Sequence, residues 1–305
     1  MYMFAPLTVV IPTYNRPKVL MDTIQSYLAG KVLPSQILVV DQSSVPFDPS
    51  SVGNCHGVEI DVVRSSKPSL TIARNVGTRA SNNDVILFSD DDILVNEDSI
   101  AVLVQRMAEL NQALVAGVTV SENYVHGSPK VPSLVNNIAG TLLGLKKPWR
   151  KDGYVIKSTM RGRYPMPVRE SVPTEWAMGY FFCVRRSLME QFDVWFDESL
   201  ERYAYAEDLD FSMRYCSAAK REGFLCTLVP DIYVEHLAST EWRTPSEQAV
   251  RYFVDNRRHI ARKVFPGQTW RIPVMTVMDI LFALSQMPRD AEYARVLLRM
   301  LFYKR

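Results

Sequence analysis

Apolar residues in this chain follow two rhythms. Short runs rich in Val, Ile and Leu, at 7–11, 36–40, 58–63, 85–88 and 113–120, have the length and composition of buried strands. Between them, apolar positions recur three and four residues apart. Leu20, Ile24, Tyr27 and Leu28 mark one helix. Ala73, Val76 and Ala80 mark a second over 70–80, and Ile100, Leu103, Val104 and Met107 a third. Pro12 and the Asn15-Arg16-Pro17 stretch separate the first strand from its helix. Strand alternating with helix over about 120 residues predicts an α/β fold, a single Rossmann-like, mostly parallel sheet flanked by helices.

The second half is less regular. Residues 121–172 are polar, basic, rich in Gly and Pro and weakly periodic, as a functional insert or lid is. From Glu175 order returns. Expected are a strand over 176–184, a short helix at 187–192, a longer one at 208–219 and a strand at 224–229 leading to His236. Beyond Thr244 the pattern is helical and amphipathic, a C-terminal helical extension whose last stripe is Val296, Leu297, Met300 and Leu301. The expected division is 1–120 as a nucleotide-sugar-binding βαβ half, 121–240 as the acceptor-binding and catalytic half of the same domain, and 241–305 as the tail.

Charge sharpens this picture. The whole chain carries only +2, so nucleic acid is not an expected partner. The charge is uneven: 257–305 holds ten Lys/Arg against three Asp/Glu, and 146–169 holds eight against one. These zones can meet phosphates or an anionic membrane surface, or form solvated basic faces. The four cysteines have no metal-ligand or framework spacing, which fits a reducing compartment. The N-terminus reads as a strand rather than a signal peptide, and no apolar stretch is long enough to span a bilayer. The expected location is cytoplasmic, or peripheral on the inner face of the membrane. The tail is expected either to lie on such a surface or to pack on the core or a partner.

The chemistry gathers at strand ends, where open α/β sheets bind ligands. Thr13, Asp41 and the run Asp90-Asp91-Asp92 all follow strands. Three adjacent carboxylates resist burial unless a cation compensates them. No glycine-rich phosphate loop of either common type occurs, so a diphosphate here needs a metal, and carboxylates suit Mn2+ or Mg2+.

Five motifs in order carry a resemblance: VVIPTYNRP, VVDQSS, SLTIARNVGTRAS, ILFSDDDI and AEDLDFSMR. Together, over roughly residues 7–236, they resemble the family 2 glycosyltransferases, inverting enzymes with the A-type glycosyltransferase fold. The resemblance implies that Thr13, Tyr14, Asn15, Asp41, Arg74, Asn75, Asp90 and Asp91 bind the nucleotide sugar. It implies Asp92 and His236 as metal ligands, Asp208 as catalytic base, and Trp176, Gly179 and Glu207 on the acceptor side. It also implies a nucleoside diphosphate sugar donor and a glycan or lipid-linked acceptor. The pair Thr13/Asp41 mildly favours UDP or dTDP over GDP, since a carboxylate accepts the pyrimidine N3–H, and a guanine N–H can also donate to it. Several of these residues have a plainer reading. Asp41 is also a good turn residue, Asp208 a helix first-turn acid, Arg74 a surface charge, Trp176 a core residue and His236 a hydrogen-bonded one. Within AEDLD, Glu207 and Asp210 compete with Asp208 for the base. A nucleotidyltransferase and a non-catalytic sugar-nucleotide or glycan-binding module are the alternative functions.

Overall fold

A computed structural model describes residues 2–119, 147, 149–165, 167–200, 204–237 and 246–286, with four positions between 295 and 299. Much of the 121–172 insert and most of the final apolar stripe lie outside the described residues.

Along the chain run β1 (Met3–Thr13), α1 (Pro17–Leu28), β2 (Val32–Asp41), β3 (Glu59–Arg64), α2 (Leu70–Ala80), β4 (Val85–Ser89), β5 (Ile93–Val95), α3 (Ser99–Met107) and β6 (Gln112–Thr119). Then come β7 (Tyr154–Ile156), β8 (Arg161–Arg163), β9 (Val172–Pro173), β10 (Phe181–Arg185), α4 (Arg186–Gln191), α5 (Glu207–Arg221) and β11 (Leu225–His236). Two helices follow, α6 (Ser246–Val264) and α7 (Arg271–Gln286). Among the described residues the main sheet has nine strands in the order β3-β2-β1-β4-β10-β6-β11-β5, with β9 on β11. The α/β expectation holds. The β3-β2-β1-β4 side is parallel, while β10 runs antiparallel between β4 and β6.

Why these residues pair is clear from burial. β6 is buried along its whole length and the last seven residues of β1 are buried, as strands covered on both faces must be. One apolar cluster, with Leu20, Ile24 and Leu103, covers one face under α1 and α3. The other cluster, with Ala73, Phe182, Phe211 and Tyr215, lies under α2 and α5. The strand order reverses beside β1, between β2 and β4, and this switch point leaves a crevice at the carboxyl ends of β1, β2 and β4.

Two strands differ from expectation. The strand anticipated from residue 176 begins at Phe181. Its first residues give their amides to side chains instead of a ladder: Ala177 to Ser212 Oγ, Met178 to the Tyr164 hydroxyl and Gly179 to Asp208. β11 passes through Pro230, where the register shifts, and continues to His236. The tail helices pack on the core: Ile260, Ala261 and Met275 belong to the second cluster. Among the described residues no helix is long and apolar enough to cross a membrane.

Candidate active site

β4 delivers the aspartates to the crevice. The Asp90 amide donates to the Tyr180 carbonyl, which fastens the turn after β4 to the start of β10. β11 pairs antiparallel with β5, so that His236 sits opposite Ile93. That register brings the imidazole beside the turn, with Nε2 3.1 Å from Asp92 Oδ1. One ligand atom each from Asp90, Asp92 and His236 lie within 4.8 Å of one another. Two carboxylates and an imidazole on part-exposed ground form a donor set that fits Mn2+, and the carboxylates also suit Mg2+. The Tyr180 ring stacks on His236 at 5.9 Å.

The second acidic group comes from α5. Ala206 at its N-cap is left-handed, φ 71°, and turns the chain so that Glu207, Asp208 and Asp210 all fall in the first helical turn. There the helix dipole favours negative charge. Their side chains separate them. Asp210 is fully buried and held by Arg214 at 2.6 Å and Lys263 at 2.7 Å. Glu207 accepts from Arg74 at 2.6 Å. Asp208 keeps partial exposure and accepts from the amides of Gly179 at 2.9 Å and Leu209 at 2.7 Å. Burial raises both the Glu207 and Asp208 carboxyls above their ordinary range, against the pull of Arg74.

In sequence, the model of glycosyl transferase family 2 matches residues 8–166, just over half of the chain, including Asp90 and Asp92. The chain belongs to that family. No curated protein matches it in sequence. Its fold is the A-type glycosyltransferase fold. GalNAc-T7, solved with UDP, GalNAc and Mn2+, is 16% identical at a TM-score of 0.58, over 95% of this chain and 53% of that one. This chain therefore spans about half the length of GalNAc-T7. The mannosyltransferase PcManGT from Pyrobaculum calidifontis, solved with GDP-Man and Mn2+, is 17% identical at 0.51, over 98% of this chain and 81% of that one. S. aureus TarS 1–349 with UDP is 15% identical at 0.55, over 94% and 75%.

Within this family 2 chain the motif residues take distinct places. Arg74, which also reads as a surface charge, is fully buried. It donates to Glu207, to Asp90 Oδ1 at 3.1 Å and to the Gly179 carbonyl at 2.8 Å. It thereby joins the Asp90–Asp92–His236 group to the α5 acids. A Cβ at Gly179 would lie 3.1 Å from both Arg74 and Glu207, so the backbone approaches this pair closely. Asn75 points elsewhere: it exchanges hydrogen bonds with the Phe196 backbone and reaches Glu198, tying α2 to the loop before α5. Trp176 is a core residue, its ring tilted against that of Tyr164 at 4.8 Å and its indole N–H donating to the Arg163 carbonyl.

The loops after β1 and β2 are knitted to each other. Asn15, at φ 56°, donates its backbone amide to Ser43 Oγ, and its side-chain Oδ1 accepts from the Ser44 amide. Tyr14 beside it is 39% exposed. Asp41 is fully buried and accepts from the Ser43 and Phe47 amides and from Arg64. Burial opposes its ionisation, but these hydrogen bonds outweigh it and hold the carboxyl below the usual range. Its direct partners make it the organiser of the 41–47 loop.

Asp91, placed among the nucleotide-sugar contacts by the resemblance, is 1% exposed and bonded to the chain's own side chains. Thr13 Oγ1 donates to it at 2.7 Å, and Arg16 pairs with it. Arg16 also reaches Asp92 Oδ2 at 3.4 Å. Burial pushes the Asp91 carboxyl up to about 7, against Arg16 and Thr13. Arg16 is the site residue that the motifs did not single out. Its signal was present in PTYNRP, the cation nearest the first strand's end.

Proposed function

We propose that this family 2 chain is a metal-dependent inverting glycosyltransferase. It moves a sugar from a nucleoside diphosphate sugar, UDP or dTDP favoured, to a hydroxyl of a glycan or lipid-linked acceptor. The observation that carries the proposal is the link through one buried guanidinium, Arg74, between Asp90 of the metal-ligand group and the acids at the head of α5. A transferase of this kind needs both centres at a fixed separation.

Asp90, Asp92 and His236 would hold the ion, Mn2+ or Mg2+, which when bound would supply a Lewis acid for the negative charge of the leaving diphosphate. Asp208 faces the acceptor. Its carboxylate takes the hydroxyl proton as the acceptor oxygen bonds to the anomeric carbon. The bond from that carbon to the diphosphate oxygen breaks in the same displacement, so configuration inverts. General-base assistance of this type contributes roughly 10²–10⁴-fold. Arg74 and the Gly179 amide hold Glu207 and Asp208 in place. The pyrimidine preference rests on the Thr13/Asp41 pair, with Asp41 acting through the loop it shapes; the fold relatives themselves were solved with UDP and with GDP-Man. The division into a donor half to residue 120, an acceptor half to 240 and a tail belongs to the same reading. A cytoplasmic setting, at the inner face of a membrane for a lipid-linked acceptor, is supported by the two basic zones.

The test is a panel of nucleotide sugars with Mn2+ or Mg2+, read as nucleoside diphosphate release and thermal shift. Asp92→Ala is expected to abolish metal-dependent UDP binding. Asp208→Asn is expected to keep that binding and lose transfer by about 10²–10⁴-fold. Equal loss of nucleotide binding in both variants overturns the division of roles. Pyrophosphate release from a nucleoside triphosphate would point to a nucleotidyltransferase, and binding without turnover to a binding module.

A further inference from the structure

The tail helices contain a buried ion cluster. Asp279 on α7 is 1% exposed and accepts from Arg257 at 2.8 and 2.9 Å and from Arg161 at 3.1 Å. Arg257 on α6 is fully buried and donates to the Thr159 carbonyl at 2.6 Å. The Phe253 ring lies 4.4 Å from the Arg257 guanidinium and 5.2 Å from that of Arg161. Thr159 lies in the turn between β7 and β8, and Arg161 begins β8. One carboxylate on α7 thus fixes the β7–β8 hairpin against α6. Removing one member of such a cluster breaks the charge-assisted hydrogen bonds that fix the others.

The hairpin in turn supports the segment before β10. A Cβ on Gly162 would come within 2.3 Å of the Trp176 ring, so the ring lies directly on bare backbone. Trp176 Nε1 donates to the Arg163 carbonyl at 3.1 Å. The Tyr164 hydroxyl takes the Met178 amide at 2.9 Å. The next amide, Gly179, is the one that donates to Asp208 at 2.9 Å. Every link in this series is a direct packing contact, a hydrogen bond or a step between chain neighbours.

We propose that Asp279 is a positioning residue for the catalytic centre. Through Arg257 and Arg161 it sets the β7–β8 hairpin, and the hairpin holds residues 176–179 so that the Gly179 amide stays on Asp208. The tail is then part of the machinery of transfer and not only a cover for the core. The inference rests on the reading of Asp208 as base.

The experiment uses the full chain with Asp279→Asn, and with Gly162→Ala as a variant that disturbs the same series from the hairpin side. Three readouts are taken: UDP affinity with Mn2+ by calorimetry, amide hydrogen exchange, and the pH profile of kcat with the nucleotide sugar found active in the panel. Asp208 is surrounded by Glu207, Arg74 and Asp90 and by the amides of Gly179 and Leu209. Losing one donated N–H disfavours its ionised form, so the acid limb of kcat moves to higher pH, by about half a unit to one unit. A smaller active fraction would not move that limb. Expected in both variants are UDP affinity within about twofold of wild type, the shifted limb, and faster exchange at 153–164 and 176–180. Asp255→Asn, at an exposed site on α6, is expected to change none of these.

Faster exchange confined to α6 and α7 with an unmoved limb overturns the proposal. So does faster exchange throughout β1 to β4 with equal loss of UDP affinity. If Asp279→Asn does not fold, Gly162→Ala decides alone. If wild type turns over no nucleotide sugar, the transferase reading fails, and protection of the Gly179 amide still decides the positioning link.

Discussion

Arg16 and Asp91 show how one pair of charges shapes the crevice. The three aspartates after β4 face three ways: Asp90 to Arg74, Asp91 into the protein, and Asp92 to His236 and Arg16. The sequence made their mutual repulsion legible, and with it the need for a cation. It did not disclose that two of the compensating cations are the chain's own arginines, because direction depends on rotamers fixed by packing. Arg16→Gln removes the partner of a buried carboxylate and is expected to cost roughly 3 kcal/mol of stability, read from chemical denaturation. The sign of its pH dependence follows from the raised Asp91 carboxyl. The folded state holds that proton up to about pH 7, so the loss is expected to be smaller at pH 5 and larger at pH 8. The base can be tested in the same way. Asp208 is raised by burial, so the acid limb of kcat is expected above the ordinary carboxylate range of about 4. A limb at or below that range would count against Asp208.

Among the elements, those with a strong period were legible: β1, β2, β4, β6 and helices α1 to α3 lie close to where their apolar spacing places them. The 176–180 segment was not. Its apolar residues look like a strand's, but Ser212, Tyr164 and Asp208 side chains take the amides a strand would use. Such competition between side chain and ladder has no local signature. The loop before α5 is another such case. Asp197 accepts from Lys263, His259 and Ser199, and these bonds overcome burial to hold its carboxyl well below the usual range. A depressed carboxyl stabilises the fold above its unfolded value and loses that contribution as pH falls through the folded one. Asp197→Asn is therefore expected to cost about 1–2 kcal/mol near pH 7. The gap to wild type closes on acidification below about pH 4, where the unfolded carboxyl protonates. Urea melts at pH 7 and pH 3 provide the check.

For the whole molecule, the fold class was readable from the alternation of strand and helix, and the place of the candidate site from strand-end chemistry. The tail's place was not, since an amphipathic helix with basic flanks suits a membrane surface as well as a core. Val254, Ile260, Ala261 and Met275 are essentially buried, which settles packing for α6 and α7. A chain ending at residue 245 exposes their side of the core. It is expected to melt at least about 10 °C lower than the full chain, or to aggregate, in a thermal scan.

The position of β10 bears on how the chain comes together in time. This strand fills the middle of the sheet, yet more than sixty residues separate it from β6, beside which it lies. While the first 119 residues emerge during synthesis, β4 ends the parallel set with an open edge, and β6 has neither of its eventual neighbours, β10 and β11. Those edges stay exposed until residue 185 and beyond are available. Assembly of the sheet is therefore a late, long-range step, slow by the standard of local contacts and open to wrong edge pairing meanwhile. Pulse-labelled exchange during refolding is expected to protect β1 and β2 before β6 and β10.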